Sequence, residues 1–448
     1  MGLMGIYNKL PAWCQTLAVS LEGYRIQKSR YGSRFEEQYQ DFMSRNAWTY
    51  EQKCAWRDEQ LRKMVKHCYE TVPYYHNLFD RLNIDCQEIK GLEDLKRLPI
   101  LDKQTIREHY DEFFSTSYKK ENLIEQHTSG STGTGFSFYQ NKEANAAVWA
   151  HVWRGNHNIG LNRDMWCAYF GGRSIVPPSR KTGSCYRINY PGRQIMFSIY
   201  HMNDQYFAQW IRVLNRYQPK WIQGYPSALL PFATYLETSG QRLNYTPEVI
   251  TLSSENISRT QEDYLGRIFG VYPMQNYAQS EAVATFRQRL DRRIFVDEDF
   301  AAVEFEPVGS DGLCRIIGTT LSNYAMPFLR YDTKDLATWR LTEEGREILT
   351  LDGRDEDDIR LRDGGSLRRL TRVFHDQPRV VESQILQKNL EEVEFHVVKT
   401  PAFTPEDEKR LDQSIRGYLT DRIGWKIVYV DKVRRNKNGK VKFIISEL

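Results

Sequence analysis

The feature that most constrains this chain is an alternation of strand-length and helix-length segments between residue 136 and about residue 350. Short apolar runs suited to buried strands are separated by stretches with helical periodicity. The strand candidates are residues 166–170, 221–223 and 249–252, and the helix candidates are residues 205–217, 227–238 and 259–269. Such alternation predicts a layered α/β domain that binds its ligands at strand ends.

The residues before this region, 1–115, are predicted to be mainly helical. One amphipathic face is formed by apolar residues spaced at i, i+3, i+4, i+7 and i+8, which are Leu61, Met64, Val65, Cys68 and Tyr69. Asp102 is predicted to be the N-cap of a helix over residues 103–109. The fold class is therefore α/β: a large layered domain, residues 1–352, with a helical N-terminal region.

A small mobile α+β domain is predicted for residues 353–448. Residues 392–398 and 426–430 have strand alternation, and a charged loop, residues 354–362, precedes them. Between the strands Thr404 is predicted as a helix N-cap, followed by Pro405 at the first helical position and an acidic residue at the third. The buried face is assigned to Leu411, Ile415, Leu419 and Ile423, with Gly424 ending the helix.

Composition narrows the function classes. A net charge of +4 over 448 residues gives no argument for nucleic acid as a partner. Seven cysteines without Cys-x-x-Cys spacing argue against a disulfide framework or a zinc ribbon, and favour reduced thiols in the cytoplasm.

The apolar start of the chain, residues 1–6, raises the question of a membrane. Pro11 interrupts it and no basic segment precedes it, so a signal peptide is not expected. Ile6 stands where a myristoylation pattern needs Ser or Thr. We expect a short amphipathic helix resting on the body of the protein, and at most peripheral membrane association.

The stretch with the most chemistry is a run of glycine and hydroxyl residues: Thr128, Ser129, Gly130, Ser131, Thr132, Gly133, Thr134 and Gly135. Glycine lets a backbone approach a ligand, and consecutive N–H groups in such a turn form an anion-binding concavity. The run is neither a Walker A motif nor a G-x-G-x-x-G motif. By itself it is compatible with a phosphate-binding loop or with a flexible linker.

Further motifs follow at residues 253–256, 276–281, 331–335, 353–357 and 438–440. Each is weak alone: a Tyr near a Glu is usually packing beside a solvated charge, and a Gly-Lys pair near the C-terminus is usually a basic tail. Their order and spacing resemble the superfamily of acyl-adenylate-forming enzymes. The branch they resemble is the phenylacetate–CoA ligase-like one, specifically the CapK-type proteins linked to capsular and surface polysaccharide biosynthesis. The resemblance covers nearly the whole chain, including residues 72–75 and 98–101.

The resemblance implies a role for each matching residue. Residues 128–135 would hold the ATP phosphates, Ser254 and Glu255 would lie beside the adenine, and Tyr277 would stack on it. Ser280 and Glu281 match the family's Ser/Thr-Glu pair, whose Glu contributes to Mg²⁺ binding and catalysis. The other implied roles are ribose binding by Asp335, a ribose-proximal Arg354, a hinge at Glu356 and the catalytic lysine at Lys440.

The activity implied is ATP- and Mg²⁺-dependent adenylation of a small carboxylic acid, with release of pyrophosphate. The acyl group then passes either to coenzyme A or to a sugar or glycan precursor. The acid pocket would include Phe136, Tyr139, residues 170–173 and residues 224–226, and Arg173 is a candidate partner for an anion.

Two residues depart from the family pattern. Thr134 stands where the loop usually has a lysine, which puts pyrophosphate handling in doubt, and Ala278 replaces a usual glycine. The alternative function is a nucleotide-binding regulatory or scaffold protein that has kept the fold and lost turnover. Nucleic-acid binding through the basic stretch at residues 432–442 is a further alternative, and it predicts a steep salt dependence.

Overall fold

The computed structural model describes residues 3–127, 136–309, 312–354, 358–367, 370–374, 377, 379–420, 422–436 and 441–448. The predicted loop residues Thr128–Gly135, the hinge residue Glu356 and Lys440 lie outside the described residues. The helices, in chain order, are α1 (Leu3–Tyr7), α2 (Ala12–Arg30), α3 (Ser33–Ser44), α4 (Tyr50–Thr71), α5 (Pro73–Leu82), α6 (Leu92–Leu95), α7 (Lys103–Glu108), α8 (Lys142–Asn158), α9 (Asp204–Tyr217), α10 (Pro226–Ser239), α11 (Arg259–Phe269) and α12 (Pro405–Leu419).

The strands are β1 (Ile124–His127), β2 (Ser137–Gln140), β3 (Cys167–Phe170), β4 (Tyr186–Asn189), β5 (Gln194–Phe197), β6 (Trp221–Gly224), β7 (Val249–Leu252), β8 (Pro273–Ala278), β9 (Thr285–Gln288), β10 (Ile294–Val296), β11 (Ala301–Pro307), β12 (Cys314–Thr320), β13 (Tyr331–Thr342), β14 (Gly345–Arg354), β15 (Ile359–Arg360), β16 (Ser366–Leu367), β17 (Val380–Gln387), β18 (Glu392–Lys399), β19 (Gly424–Tyr429) and β20 (Ile444–Ser446).

These elements form two compact units. The first unit comprises Met1–Gln27, Leu161–Gln275 and Asp352–Leu448, and the second comprises Lys28–Gly160 and Asn276–Leu351. Strand β8 contributes its first residues to the first unit and its last residues to the second. The predicted division of the chain after residue 352 stays a prediction.

In the first unit, strands β8, β7, β6, β3 and β5 lie side by side in parallel, and β4 closes the edge antiparallel to β5. Helices α9, α10 and α11 bury their apolar faces, with the Trp210 ring tilted or edge-on against Phe170, Phe197 and Phe232. Large aromatic side chains bury the most apolar area per residue, so this cluster is a main source of stability. The three strands and three helices expected here are confirmed to within two residues.

The C-terminal lobe of the first unit, residues 359–446, has a four-stranded sheet in the order β19-β18-β17-β20 with α12 packed on it. Thr404 caps α12 as expected, and its hydroxyl and the Asp407 carboxylate form a reciprocal capping box. The expected end of the helix at Gly424 is wrong. The helix ends at Leu419 because Thr420 adopts a left-handed conformation with φ of 47°, and Gly424 instead begins β19.

The second unit holds helices α3 to α8 and strands in the order β11-β12-β13-β14-β10-β9-β8. Helix α4 buries the predicted face, including Leu61, Met64 and Val65, and Asp102 caps α7 by accepting a hydrogen bond from the Thr105 N–H. The strand expected after the glycine loop is β2. The predicted fold class is thus confirmed: a mixed α/β chain with a large layered sheet, a helical N-terminal region and a small C-terminal α+β domain.

Candidate active site

A tight turn joins β8 to β9 in the second unit and carries three of the predicted site residues. Tyr277 lies at the end of β8, Ser280 is exposed in the turn, and Glu281 is buried just after it. The Ala282 N–H donates to the Gln279 carbonyl over 3.2 Å, and Ala282 has φ of 55°, in the region that a non-glycine residue rarely adopts. The backbone thus turns sharply next to the buried carboxylate of Glu281.

The buried carboxylate of Glu281 has one hydrogen-bond donor among the described residues. The Tyr331 phenol donates to Glu281 Oε1 over 2.8 Å, and Tyr331 is itself fully buried at the start of β13. Within the described ranges, no ion pair or further hydrogen bond reaches this carboxylate. A buried carboxylate is stabilised by each donor or cation that it contacts.

A second bond links the same two segments. The Tyr277 phenol donates to Asp335 Oδ2 over 2.8 Å, and the Gln279 side-chain amide donates to the same phenol oxygen. The Tyr277 ring stacks on Phe286, its cross-strand neighbour, with ring centroids 4.7 Å apart. Burial raises the pKa of Tyr277 well above its ordinary value, and the Asp335 charge raises it further. The phenol therefore stays protonated as a donor at neutral pH.

Strand β13 bulges where it presents Asp335. Between the pairs Ile317–Asp332 and Arg315–Leu336, three residues of β13 lie against one of β12. Lys334 has φ of 63°, its N–H binds Asp332 Oδ1, and the Asp335 N–H binds the Thr333 hydroxyl. A bulge re-aims a side chain, so this one points the Asp335 carboxylate to the Tyr277 phenol.

A glycine in the neighbouring strand lets the Glu281 segment pass close by. A Cβ placed on Gly318 would lie 2.2 Å from the Val283 carbonyl oxygen and 2.7 Å from its carbon. These atoms belong to the backbone, which cannot rotate away as a side chain can. Gly318 is therefore required for the chain after Glu281 to cross β12.

The first unit contains a separate cluster at the carboxyl ends of β3, β6 and β7. Glu255 follows β7, and both of its carboxylate oxygens accept hydrogen bonds from Ser227, from the N–H over 3.0 Å and from the hydroxyl over 2.9 Å. Ser254 is exposed, with φ of 68°. Ser227 is the second residue of α10, so Glu255 also lies at the positive end of that helix.

Tyr225 joins this cluster to the end of β3. Its phenol bonds to the Gly172 backbone and the Ser254 side chain, and burial raises its pKa, with the Glu255 charge adding to the rise. Arg173 is exposed beside it. The structure therefore brings together residues 172–173, 225 and 254–255, as expected for residues that follow neighbouring parallel strands.

An arginine of the C-terminal lobe also contacts helix α10. Arg435 donates to the Ser227 carbonyl over 2.6 Å and also to the Glu382 carboxylate in β17. Burial raises the pKa of Glu382 to about 7, the Arg435 charge opposes the rise, and the Glu255 charge adds to it. Arg435 also forms a backbone bridge with Val441, so these two residues flank the segment that contains Lys440.

The structure does not reach every predicted residue. Arg354 ends β14, but its side chain is outside the described part of the chain, as are residues 128–133 and Lys440. In the described ranges, no group of three or more His, Cys, Asp or Glu residues forms a metal site. Sequence reasoning missed Tyr331 as the partner of Glu281 and missed Gly318, Ser227 and Arg435. The sequence offered one signal for Tyr331, because the spacing from Tyr277 to Glu281 equals that from Tyr331 to Asp335, four residues in each case.

Comparisons with known proteins agree with the motifs. The family model described as the CapK C-terminal domain matches residues 363–447. Protein CapK of Staphylococcus aureus is 23% identical over 453 residues, covering 99% of each chain. The phenylacetate-coenzyme A ligase of Thermus thermophilus is 24% identical over 63% of this chain and 64% of its own length, and that of Escherichia coli is 24% identical over 69% and 72%.

Among solved structures, 2-hydroxyisobutyryl-CoA ligase in the postadenylation state, in complex with 2-HIB-AMP, superposes with a TM-score of 0.67. The alignment covers 87% of this chain and 89% of that one at 14% identity, so the likeness concerns the fold. The chain therefore has the fold of the acyl-adenylate-forming ligases, and its similarity to CapK and to the phenylacetate–CoA ligases confirms the resemblance that its motifs indicate.

Proposed function

We propose that this protein is an AMP-producing ligase that adenylates a small carboxylic acid with ATP and then transfers the acyl group to an acceptor. The observation that carries the proposal is the buried Glu281 carboxylate, which receives only the Tyr331 hydroxyl among the described residues. The Tyr277–Asp335 pair lies on the same two segments, where the family resemblance places adenine and ribose contacts. The similarity to ligases of this superfamily supports the same reading.

A single carboxylate such as that of Glu281 is a suitable protein ligand for Mg²⁺, which does not need a preformed cage of several protein ligands. Mg²⁺ retains several waters and is usually held by one or two carboxylates together with substrate phosphates. One buried carboxylate, outside any larger acidic cluster of the described residues, meets that requirement. When bound, Mg²⁺ supplies positive charge that offsets the charge of the phosphates.

The remaining roles follow from the chemistry. In the first half-reaction a carboxylate oxygen attacks the α-phosphorus, and the bond to the pyrophosphate oxygen breaks. Two anions must approach each other, so donors and a cation have to offset their repulsion. We assign the phosphate contacts to Thr128, Ser129, Gly130, Ser131, Thr132 and Gly133, and the cation to Lys440. Lysine acts here as a compact point charge that strengthens its interaction in the transition state.

We assign nucleotide recognition to five residues, and the structure describes the side chains of all of them except Arg354. Asp335 would accept the ribose hydroxyls while Tyr277 holds its carboxylate in place. Ser254 and Glu255 would lie along the adenine, and Arg354 near the ribose. Ser280, exposed beside Glu281, would contact the phosphates.

In the second half-reaction the acceptor attacks the acyl carbonyl carbon and AMP leaves. Coenzyme A is the acceptor that the names of the phenylacetate-coenzyme A ligases suggest. The other acceptor, a hydroxyl or amine of a sugar or glycan precursor, is the one that the resemblance of the motifs to CapK-type proteins implies. Both acceptors leave the adenylation step unchanged, so the first half-reaction can be tested without choosing between them.

The test is a product analysis with ATP, Mg²⁺ and a panel of small, hydroxy, aromatic and amino acids, followed by addition of coenzyme A or of sugar amines and alcohols. We expect AMP and pyrophosphate with at least one acid, and acceptor-dependent turnover with one acceptor class. Formation of ADP and phosphate would contradict the proposal. Tight ATP binding with no AMP across the panel would favour the regulatory or scaffold alternative.

A further inference from the structure

Helix α2 presents its apolar side chains to solvent. Four large residues lie within one face of this helix, which we call the outer face: Trp13, Leu17, Leu21 and Tyr24, with 71%, 56%, 64% and 60% of their surface exposed. The spacing of four, four and three residues places them along one stripe of the helix. Ile6 in α1 adds a fifth large apolar residue that is 53% exposed.

The opposite face of α2 holds the helix on the protein, and its two buried residues, Gln15 and Gly23, are polar or small. The buried Gln15 accepts from the Arg187 guanidinium over 2.9 Å and donates to the Tyr7 carbonyl over 2.8 Å. A Cβ on the buried Gly23 would lie 1.9 Å from Asn189 Oδ1, so the helix approaches that residue as closely as only glycine permits. This reverses the usual arrangement, in which a surface helix buries its apolar stripe.

Short contacts beside the stripe show that the helix is firmly placed. The Ser20 hydroxyl donates to the Ile188 carbonyl over 3.0 Å and accepts from the Tyr190 N–H over 3.3 Å. Val19 packs on the apolar cluster of Ile175, Val176 and Met196. Tyr190, which is exposed, adds another aromatic ring next to Ser20. An anchored helix with an exposed apolar stripe is typical of an interaction surface rather than of a loosely packed end.

The charges around the stripe indicate which partner it fits. Residues 1–30 contain four basic residues, Lys9, Arg25, Lys28 and Arg30, and one acidic residue, Glu22. Arg25 binds Glu22 over 2.7 Å, and the nearby Arg173 charge also lowers the Glu22 pKa. The surface is therefore apolar along the stripe and aromatic at Trp13 and Tyr24, and residues 1–30 carry a net positive charge with Lys9 and Lys28 exposed.

We propose that the outer face of α2 binds the surface of an anionic lipid bilayer. Interfacial helices insert an apolar face with Trp and Leu into the acyl boundary and keep basic residues at the headgroups, and Trp and Tyr favour that boundary. Among the described residues, no helix is long and apolar enough to cross a bilayer. This goes beyond the expectation of at most peripheral membrane association, which was based on the apolar start of the chain rather than on α2.

The experiment is co-sedimentation of the full chain with phosphatidylcholine vesicles and with vesicles that also contain phosphatidylglycerol. We expect binding to the anionic vesicles that weakens with added salt. The double variant Trp13→Gln/Leu21→Gln should lower the partition coefficient by about tenfold or more, since it withdraws two large apolar side chains from the interface. Lys9→Glu/Lys28→Glu should weaken binding to the anionic vesicles selectively.

Leu290→Gln/Leu341→Gln is the matched control, because these leucines are similarly exposed, at 73% and 63%, and lie outside α2. It should leave vesicle binding unchanged, and all variants should unfold at wild-type temperature. The proposal is overturned if the wild type binds neither vesicle type, or if the control loses binding equally. It is also overturned if the protein binds no vesicles and instead forms a dimer through the outer face. Sedimentation velocity would detect that dimer in the wild type and its loss in the Trp13→Gln/Leu21→Gln variant. These outcomes are independent of the ligase proposal, which concerns other residues.

Discussion

The Tyr331 phenol donates a 2.8 Å hydrogen bond to Glu281 Oε1, and both groups are buried. Tyr277, four residues before Glu281, and Asp335, four residues after Tyr331, form a second bond of 2.8 Å. Two tyrosines and two carboxylates thus tie the turn after β8 to the start of β13. In the proposed mechanism this pairing fixes the carboxylate that faces the magnesium and the carboxylate that faces the ribose.

Replacing Tyr331 with Phe tests the first bond. The carboxylate remains but loses its donor, so the adenylation rate should fall by about 10- to 100-fold, as when a group that orients a metal ligand is removed. Excess Mg²⁺ should restore part of the rate. The free energy of unfolding should fall by about 1–3 kcal/mol, because a buried acceptor is left unpaired. Tyr217→Phe, at an exposed position, is the control, and equal losses in both variants would contradict the assignment.

Asp335→Asn tests the ribose assignment. A hydroxyl bound to a carboxylate contributes more than one bound to an amide, so ATP affinity should fall by about 10- to 100-fold. Wild-type protein should discriminate against a 2′,3′-dideoxy analogue of ATP, and the variant should lose that discrimination. Isothermal titration with both nucleotides measures it. A variant that still discriminates as the wild type does would remove Asp335 from ribose recognition.

Gly318→Ala tests the close crossing of β12 by the chain after Glu281. The added methyl group would overlap the Val283 backbone, so unfolding free energy should fall by about 1–3 kcal/mol and adenylation should fall with it. Gly417→Ala in α12 adds the same methyl group where nothing lies within 4 Å, and should stabilise the protein by about 0.5–1 kcal/mol. Chemical denaturation measures the change in the free energy of unfolding for each variant, and the two changes should have opposite signs.

The Glu382 contact predicts a pH dependence of stability. Burial raises the pKa of Glu382 to about 7 in the folded protein, above its value in the unfolded chain. The folded state therefore binds the proton more tightly, and stability falls as pH rises from about 5 to about 8. Relative to Glu382→Gln, the wild-type unfolding temperature should drop across that range. Glu406→Gln, an exposed carboxylate of the same lobe, should show no such trend against wild type.

Much of this was predictable from sequence, for physical reasons. The strands after residue 160 are short apolar runs and their helices have clear periodicity, so β7 and α11 could be placed to the residue. The pairs formed between residues of distant strands could not be predicted, because they depend on the register of the strands in the sheet. The bulge at Lys334, which aims Asp335 at Tyr277, arises from a left-handed residue that is not glycine. Likewise the end of α12 at Thr420 follows from local backbone geometry that a threonine does not signal.

The most direct test of the central claim is ATP–pyrophosphate exchange with Mg²⁺ and a panel of carboxylic acids, in the absence of coenzyme A and any sugar. Wild-type protein should exchange with at least one acid. Glu281→Gln and Lys440→Ala should lower the rate by about 10²- to 10³-fold while remaining folded. The matched controls Glu343→Gln and Lys432→Ala, at exposed positions, should exchange at the wild-type rate. Exchange that survives both site substitutions, or no exchange with any acid by a protein that binds ATP, would contradict the account.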